Sequence, residues 1–486
     1  MTPFGMIMFK RLTAFLVCLI TSASMAHAKM ITQLVPSLTV SEEYKDNYYE
    51  TEDDPYEEWI TTYELGFSLG FIERRGQIYL AYNPAYKDYK NLDDRDGLEH
   101  NASMSALFQA TKHTTLSAGI IYESGQDGNY EGESWQNSAN ASVNSQLTKT
   151  INASLSYDYS NSYDQQVRTG EWKEHRVHNA STGVQKAFGA QNSIGANLSY
   201  ETDAYKNSDA DEYTSFEPTA FLKYWFTRRD GMETNLEYID KKYDTLSSRD
   251  YNTTAGDIRY IRKFSKQLDG YIKYRHYYSD RENGNHTIYH PSVGVDWDIT
   301  EDSGISIGVG VLCNRWDNSD NEDSDDPFLD LNAYKVFNFS PKGSFSITAS
   351  SSYDESDDEA ASLGYVINYR AGCSFSYMLT KHLSSRLFAS YKRQDYKEKD
   401  IDRQDDTYNV GGGLTWNPLR WLQLSANASH VNFETNDASR DDYKSNVVTV
   451  FIRISPEQPI RPDKTFSKEQ LDNEIFDYNS QGRIID

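Results

Sequence analysis

The stretch INASLSYDYS, residues 151–160, alternates between two kinds of side chain. Apolar or aromatic side chains occupy the odd positions from Ile151 to Tyr159, and Asn, Ser or Asp occupies each even position. Successive side chains of a β-strand point to opposite faces, so this pattern predicts a strand with one apolar and one polar face. A protein core and a lipid bilayer would both accept the apolar face, and the rest of the chain decides between them.

The first 28 residues predict a secretory signal peptide that is cleaved after Ala28. A basic pair, Lys10 and Arg11, precedes an apolar run at 12–20, and Ala26 and Ala28 flank His27. These features are the charged region, the apolar region and the cleavage site of a signal peptide. The apolar run is well short of the roughly 20 residues that a membrane-spanning helix needs, so a retained anchor is not expected.

The composition of the mature chain favours a closed sheet around a wet interior. Residues 29–486 carry 46 basic and 73 acidic side chains, a net charge of −27. Apolar residues make up 38% of the sequence, whereas soluble proteins usually have roughly 45–50%. No later stretch approaches the roughly 18 consecutive apolar residues of a transmembrane helix. In a closed sheet with a wet interior, only the outer face of each strand needs apolar residues, which explains the low apolar fraction.

Alternating strands recur along the chain in a pattern of hairpins. Each interval of about 36 to 43 residues holds two strands, a longer loop and a tight turn. Eleven such hairpins predict an all-β, antiparallel up-and-down barrel of about 22 strands, with a range of 18–24. The hairpins begin near Leu34, Gln77, Thr115, Ile151, Ser193, Met232, Leu268, Gly304, Ser344, Leu383 and Trp421.

Two kinds of connection alternate between the predicted strands. The tight turns are rich in residues of short hairpin connections: ERRG (73–76), TKHT (111–114), TKT (148–150), GAQN (189–192), RRDG (228–231), SKQ (265–267), TEDS (300–303), PKG (341–343), TKH (380–382) and NPLR (417–420). The longer connections are acidic: KDNYYETEDDPYEE (45–58), NLDDRDG (91–97), NSDADE (207–212), DNSDNEDSDDP (317–327), DESDDEA (354–360) and KEKDIDRQDD (397–406). Short turns at one end and long loops at the other are typical of outer-membrane barrels.

Aromatic residues cluster toward the predicted strand ends, as in the interfacial girdles of membrane barrels. They are Trp59, Tyr122, Trp135, Tyr157, Tyr159, Tyr200, Tyr224, Phe226, Tyr353, Tyr391 and Trp416. In one late hairpin the alternation assigns these residues to the lipid face: Leu363, Tyr365, Ile367, Tyr369, Phe375 and Tyr377. The soluble alternatives are a secreted β-sandwich and a β-solenoid adhesin. A sandwich gives no reason for connections of two alternating lengths, and the fixed Gly or Asn offsets of a solenoid are absent.

A bilayer leaves no water for backbone amides, so a membrane-spanning sheet must close on itself. An even strand number places both termini on one side, which we expect to be the periplasm. The short turns are then periplasmic, and the acidic loops face lipopolysaccharide, where divalent cations would bridge the two. The expected division of the chain is 1–28 signal peptide, 29–456 barrel and 457–486 periplasmic tail.

Several function classes are weighed by what the sequence lacks. A 22-stranded barrel suggests a transporter with a plug, but the first strand begins about five residues after Ala28, so no plug domain is expected. The pairs His290–Ser292 and His382–Ser384 have the spacing of the lipid-facing His and Ser of outer-membrane deacylases. The alternation of side chains along each strand, however, places both serines on the lumen face. No haem, zinc, phosphate-loop or dinucleotide motif occurs.

We therefore predict no enzyme, no cofactor, no metal and no nucleic-acid partner. We interpret Cys313 and Cys373 as small apolar residues of the lipid face.

Charged side chains on the polar face predict a conduit, because rings of such groups set the selectivity of a pore. The alternative is that each is simply a solvated wall residue. The candidate lumen-lining charges are Lys223, Arg259, Lys263, Lys273, Arg275, Arg370, Arg386, Lys392, Glu233, Glu237, Asp257 and Asp296, together with Glu64, Asp269 and Asp298.

A barrel this wide needs something to narrow it, because barrels of 16–18 strands already leave an aqueous channel. Folded-in loops, the tail 457–486 or a partner could do so. In the tail, Ser467 would cap a short helix over 468–476, and the tail is either a disordered segment, a lumen gate or a docking peptide.

The mature start PSLTVSEEYKDNYY (36–49), followed by Tyr-ended strands and acidic loops, resembles the outer-membrane β-barrel porins found beside exopolysaccharide export gene clusters. The chain departs from most outer-membrane proteins in not ending on an aromatic residue, so the assembly signal would be the internal NVVTVFIRI (446–454). The resemblance implies passage of polysaccharide or small solutes, with outer-membrane lipid and lipopolysaccharide as neighbours. The other hypothesis is a structural sheath around a periplasmic multi-haem cytochrome or an export lipoprotein.

Overall fold

The structure is a computed structural model that describes residues 31–126, 133–165, 172–206, 212–245, 249–281, 285–317, 323–354, 365–397, 402–437, 440–456 and 459. These residues form one antiparallel sheet of 22 strands. The sheet closes where β22 pairs with β1, from Leu38 opposite Ile454 to Lys45 opposite Val447. The predicted closed barrel of 22 strands is therefore confirmed.

The strands follow one another around the barrel in chain order. They are β1 (Ile31–Lys45), β2 (Glu58–Glu73), β3 (Gly76–Tyr89), β4 (Gly97–Thr111), β5 (Thr114–Gln126), β6 (Glu133–Thr148), β7 (Ile151–Gln165), β8 (Trp172–Phe188), β9 (Asn192–Lys206), β10 (Tyr213–Trp225), β11 (Asp230–Tyr243), β12 (Tyr251–Lys263), β13 (Leu268–Arg281), β14 (His286–Thr300), β15 (Ser303–Trp316), β16 (Ser324–Ser340), β17 (Gly343–Asp354), β18 (Tyr365–Met378), β19 (Leu383–Lys397), β20 (Asp402–Leu419), β21 (Leu422–Thr435) and β22 (Tyr443–Ile454).

Regular structure outside the sheet is limited, in the described part of the chain, to a single 3₁₀ turn at Asp93–Arg95. Within the same residues, no helix has the length and apolar character to span a membrane.

Short turns and longer loops alternate as predicted, but two acidic loops are shorter than predicted, because 324–327 belong to β16 and 402–406 to β20. Two of the predicted turns also shift. The β10–β11 turn occupies 226–229, so Asp230 and Gly231 of the predicted RRDG turn belong to β11. NPLR (417–420) is not a turn as predicted, because β20 continues to Leu419. The pairing of β20 with β21 is irregular between Trp416 and Leu419. This irregularity accommodates Pro418, which has no backbone N–H to donate to the ladder.

The two faces of β7 differ as the alternation predicts. Leu155 and Tyr157 lie on the outer surface, where their side chains are 56% and 46% exposed. On the inner face, Ser156 shares a hydrogen bond of 2.6 Å with Ser181 of β8. The same division continues around the barrel, so an apolar surface covers its outside and polar groups line most of its inside.

The wall has a seam between β16 and β17 at the end that carries the long loops. Pairing of these strands stops at Leu331 opposite Ser351. Beyond that point β16 still pairs with β15 as far as Ser324, and β17 still pairs with β18 as far as Asp354 opposite Val366. The ends of β17 and β18 therefore leave the wall and curl into the barrel. We refer to residues 352–354 and 365–369 as the inward segment.

Candidate transport lumen

The inward segment packs against the inner face of the opposite side of the seam. The buried cluster joins inner residues of β12–β16 to two residues of β18, and Leu312 and Tyr365 in it have no exposed surface. Tyr353 and Tyr369 pack against this cluster. The members are Ala255, Tyr277, Ile288, Leu312, Phe328, Tyr365 and Ile367.

This packing corrects the lipid-facing interpretation of four residues. Tyr365, Ile367 and Tyr369 were expected on the lipid face and Tyr353 in the interfacial girdle. Both expectations are wrong, because the outer face of the inward segment lies against inner side chains of the wall. The alternation itself is kept along β17 and β18. Because the sheet curls inward, the outer side chains of this segment pack against the inner wall of the barrel and not against lipid. Leu363 lies outside the described residues.

A sequence signal for this cluster exists but was missed. Inner positions of β14, β15 and β16 near the long loops carry Ile288, Leu312 and Phe328, where a water-filled lumen would favour polar residues. Apolar residues on the inner face of three neighbouring strands indicate that something covers them.

Polar contacts hold the inward segment in place beside the apolar ones. The Tyr365 hydroxyl donates a hydrogen bond to the Asp326 carboxylate of β16. The Arg275 guanidinium lies 5.6 Å from the centre of the Tyr353 ring. The lumen is therefore narrowed by the wall itself.

His290 and Ser292, the H-x-S pair of β14, lie beneath the inward segment. The His290 ring is 1% exposed and lies edge-on to the rings of Phe328 and Tyr353, at centroid distances of 5.3 and 5.2 Å. Among the described residues, neither ring nitrogen of His290 has a hydrogen-bond partner, nor does the Ser292 hydroxyl. Both side chains belong to the inner face, as parity predicts for Ser292.

A second inward element is the loop 46–57 between β1 and β2. Tyr48 of this loop is buried against Ile60 and Tyr89, which are inner residues of β2 and β3. Arg95 is also buried, and its guanidinium donates a hydrogen bond of 3.2 Å to the Tyr48 hydroxyl. Although burial alone would lower the pKa of Arg95, the Tyr48 hydroxyl and the nearby Asp94 carboxylate raise it above its ordinary value. The loop thus covers part of the mouth.

The strand register places all twelve candidate charges on the inner face. One row of paired residues runs from Lys223 through Glu233 and Arg259 to Lys273. Near the short turns several of these charges are paired. Lys223 Nζ is 2.5 Å from Glu233 Oε1, Arg259 binds the Asp296 carboxylate, and Lys263 Nζ lies 4.0 Å from the centre of the Trp225 ring. Glu233 and Asp296 thus neutralise Lys223 and Arg259. The Trp225 ring holds Lys263 without cancelling its charge.

At mid-height, five to nine residues from the short turns, the inner charges separate by sign. Acidic side chains occupy β2, β5, β7 and β9 to β12, and basic side chains occupy β13, β18 and β19. We call these sets the acidic arc and the basic arc. The acidic arc is Glu64, Glu123, Asp158, Glu201, Glu217, Glu237 and Asp257, and the basic arc is Lys273, Arg275, Arg370 and Lys392. Asp330 of β16, one residue outside this window, is an inner carboxylate on the basic side.

Neutral donors hold several carboxylates of the acidic arc. Glu201 accepts hydrogen bonds from Asn179 at 3.0 Å and from the Tyr213 hydroxyl at 2.8 Å. Glu217 accepts one from Ser215 at 2.7 Å. Such partners orient a carboxylate without cancelling its charge. In the basic arc, Arg370 lies directly opposite Lys392. The two arcs therefore set up an electric field across the lumen.

The remaining predictions about the lumen fall outside what the structure describes or stay predictions. The expected tail helix at 468–476 and the loop at 355–364 are outside the described residues. No group of three or more potential metal ligands is found among the residues that are described. Cation bridges between acidic loops and lipopolysaccharide stay a prediction.

Residues 270–455 match a family model described as "Putative beta-barrel porin 2". This match confirms the predicted resemblance to outer-membrane β-barrel porins, and with the closed barrel it supports an outer-membrane location. Among curated proteins, no sequence matches the chain.

Solved structures with a similar fold include three outer-membrane-type barrels of low sequence identity. A mutant of the ferric enterobactin receptor PfeA from Pseudomonas aeruginosa, in complex with enterobactin, has a TM-score of 0.57 at 9% identity, covering 87% of this chain and 81% of that one. The siderophore receptor PirA from Pseudomonas aeruginosa has 0.53 at 11%, covering 87% and 80%. The copper transporter OprC has 0.51 at 10%, covering 87% and 81%. At such identities the likeness shows the fold alone.

Proposed function

We propose that this chain is an outer-membrane channel that passes hydrophilic solutes through a lumen narrowed by its own wall. The observation that carries the proposal is the separation of the acidic and basic arcs around an inner face that is otherwise polar. A field across a narrow lumen orients dipolar solutes and ions, and a charged wall excludes apolar ones. In this proposal the termini and short turns are periplasmic, and the channel has no enzymatic activity.

The inward segment favours a channel over a sheath. A sheath would keep its interior free for a partner, whereas this wall already places Tyr353, Tyr365 and Ile367 inside the barrel. The loop 46–57 occupies a further part of the mouth. These elements supply the narrowing that so wide a barrel requires.

Exopolysaccharide is the finer proposal for the solute, and it rests on the family resemblance. Hydroxyl and amide side chains dominate the inner face of β5 to β8, and some bond to each other, as Ser117 and Ser142 do at 2.6 Å. Such groups exchange hydrogen bonds readily with sugar hydroxyls. Small polar solutes would satisfy the same lining, so the solute is tested separately from the channel.

Planar-bilayer recording of the purified full chain tests the proposal. We expect stable open channels from this chain alone. A silent chain that co-purifies with a haem protein or a lipoprotein would overturn the channel and support the sheath. If channels form, block of the current by acidic or neutral polysaccharide fragments would support the finer proposal, and equal block by unrelated small solutes would count against it.

A further inference from the structure

The short-turn end of the barrel is basic, in contrast to the acidic loops at the other end. Every short turn except those at 189–191 and 301–302 carries a cationic residue. The described turn cations are Arg74, Arg75, Lys112, Lys149, Arg228, Arg229, Lys266, Lys342, Lys381 and Arg420. Although the chain as a whole is strongly negative, these turn cations form a cationic rim at the short-turn end of the barrel.

Large apolar side chains lie next to these cations and are open to the surroundings. Phe226 is 55% exposed beside Arg228, and Phe264 is 59% exposed beside Lys266. Trp421, next to Arg420, is also exposed. Apolar side chains that alternate with cations suit a membrane interface, where the former enter the acyl region and the latter reach lipid phosphates.

A groove crosses the outer wall above one sector of this rim, over β8 to β12. It has a volume of about 700 Å³, and a second hollow of about 460 Å³ shares Val184, Ala196, Ala220 and Leu236 with it. Its floor follows a row of paired outer residues in which Ala196 and Ala220 lie between the larger Val184 and Leu236. The lining is almost wholly apolar.

The end of the groove nearer to the short turns lies beside more cations than acidic side chains. Lys186 lines the second hollow, one row nearer to the short turns. Arg228 and Arg229 lie in the β10–β11 turn below it. Arg262, on the same side, is already paired with Asp230 at 3.3 Å. Lys186 and Arg228 make no ion pair with any described residue. Arg229 interacts electrostatically with the carboxylate of Asp230, its neighbour in sequence.

We propose that this sector binds one acidic phospholipid, with an acyl chain in the groove and its headgroup phosphate on Lys186, Arg228 and Arg229. The shape of the groove and the charge at its end fit the two parts of one lipid molecule. A headgroup with net negative charge is preferred, because Lys186, Arg228 and Arg229 together outnumber the Asp230 carboxylate, which Arg262 already pairs. The inference depends on the membrane location and not on the proposed channel.

Native mass spectrometry of the full chain in mild detergent tests this proposal with two lipids of matched acyl chains. We expect one phosphatidylglycerol to remain bound under conditions that release phosphatidylcholine. Replacing all three cations, Lys186→Ala with Arg228→Ala and Arg229→Ala, should weaken phosphatidylglycerol binding roughly a hundredfold, since each cation near an anionic lipid contributes about fivefold. Equal retention of both lipids, or no loss in this variant, would overturn the proposal.

Two further variants separate the groove from general rim charge. Ala220→Leu fills the floor of the groove and should reduce binding while the three cations stay in place. Lys342→Ala with Lys381→Ala removes two cations from a distant part of the rim and should leave binding unchanged. Heat-modifiable gel migration shows that each variant is folded. Equal loss in the groove variant and the distant variant would show diffuse attraction and contradict a defined site.

Discussion

Tyr157 and Tyr365 show what alternation predicts for a single residue and what it does not. Both occupy the outer face of their strands, yet Tyr157 is 46% exposed and Tyr365 is fully buried. Local pattern decides the face because side chains alternate along any strand. It does not decide what that face meets, because a distant seam in the sheet turns the end of β18 inward.

Gly310 provides a test of the packing beneath the inward segment. A Cβ built on it would lie 2.5 Å from the Pro291 carbonyl oxygen, 2.8 Å from Ser292 Cβ and 2.9 Å from His290 Nε2. Because backbone cannot give way as a side-chain tip can, we expect Gly310→Ala to lower the free energy of unfolding by about 1–3 kcal/mol. Urea unfolding in detergent micelles measures this change.

Gly372→Ala is the matched control for that substitution. The closest atom to its added Cβ would be the Thr348 hydroxyl oxygen at 3.3 Å, which can rotate away. We expect little change in stability for this variant. Equal effects of the two substitutions would show that the close approach at Gly310 is not a constraint.

At the scale of elements, the sequence predicts the order and spacing of the hairpins well. For the inward curl it offers only an indirect signal, the apolar inner residues Ile288, Leu312 and Phe328. All eleven predicted hairpin starts lie within three residues of the observed strand starts, for example Ile151 for β7 and Leu268 for β13. Period-two alternation and turn residues are local signals, so they can be read from the sequence without knowing the tertiary structure. The seam beyond Leu331 and Ser351 depends on contacts between strands far apart in sequence, which no local pattern reports.

Opening the inward segment should widen the channel. Ile367→Asp places a carboxylate in the buried cluster, and an unpaired buried charge is too costly to keep there. We expect the segment to leave the cluster, so that single-channel conductance rises and larger polyethylene glycols enter. Ile347→Asp, on the outer wall, is the control for charge alone, and folded protein is selected before recording. An unchanged conductance in Ile367→Asp would mean that the segment does not limit the pore.

At the scale of the whole molecule, charge is arranged in two directions. Along the axis, a cationic rim at the short turns faces acidic loops at the other end. Across the lumen, the acidic arc of β2 to β12 faces the basic arc of β13, β18 and β19. The sequence alone predicts which charges point inward. Their separation by height and sign can be read only from the strand register. Ion pairs near the turns, such as Lys223 with Glu233, cancel, so the charges at mid-height set the electric field in the lumen.

The ion selectivity of paired lumen variants tests the central claim most directly. Reversal potentials in a salt gradient would be compared for the wild-type chain, for Glu217→Gln with Glu237→Gln, and for Arg370→Gln with Lys392→Gln. The two variants should shift selectivity in opposite directions, toward anions in the first and toward cations in the second, while Lys335→Gln on the outer wall changes nothing. Reversal potentials that are the same in all four proteins would contradict a lumen governed by its two charged arcs.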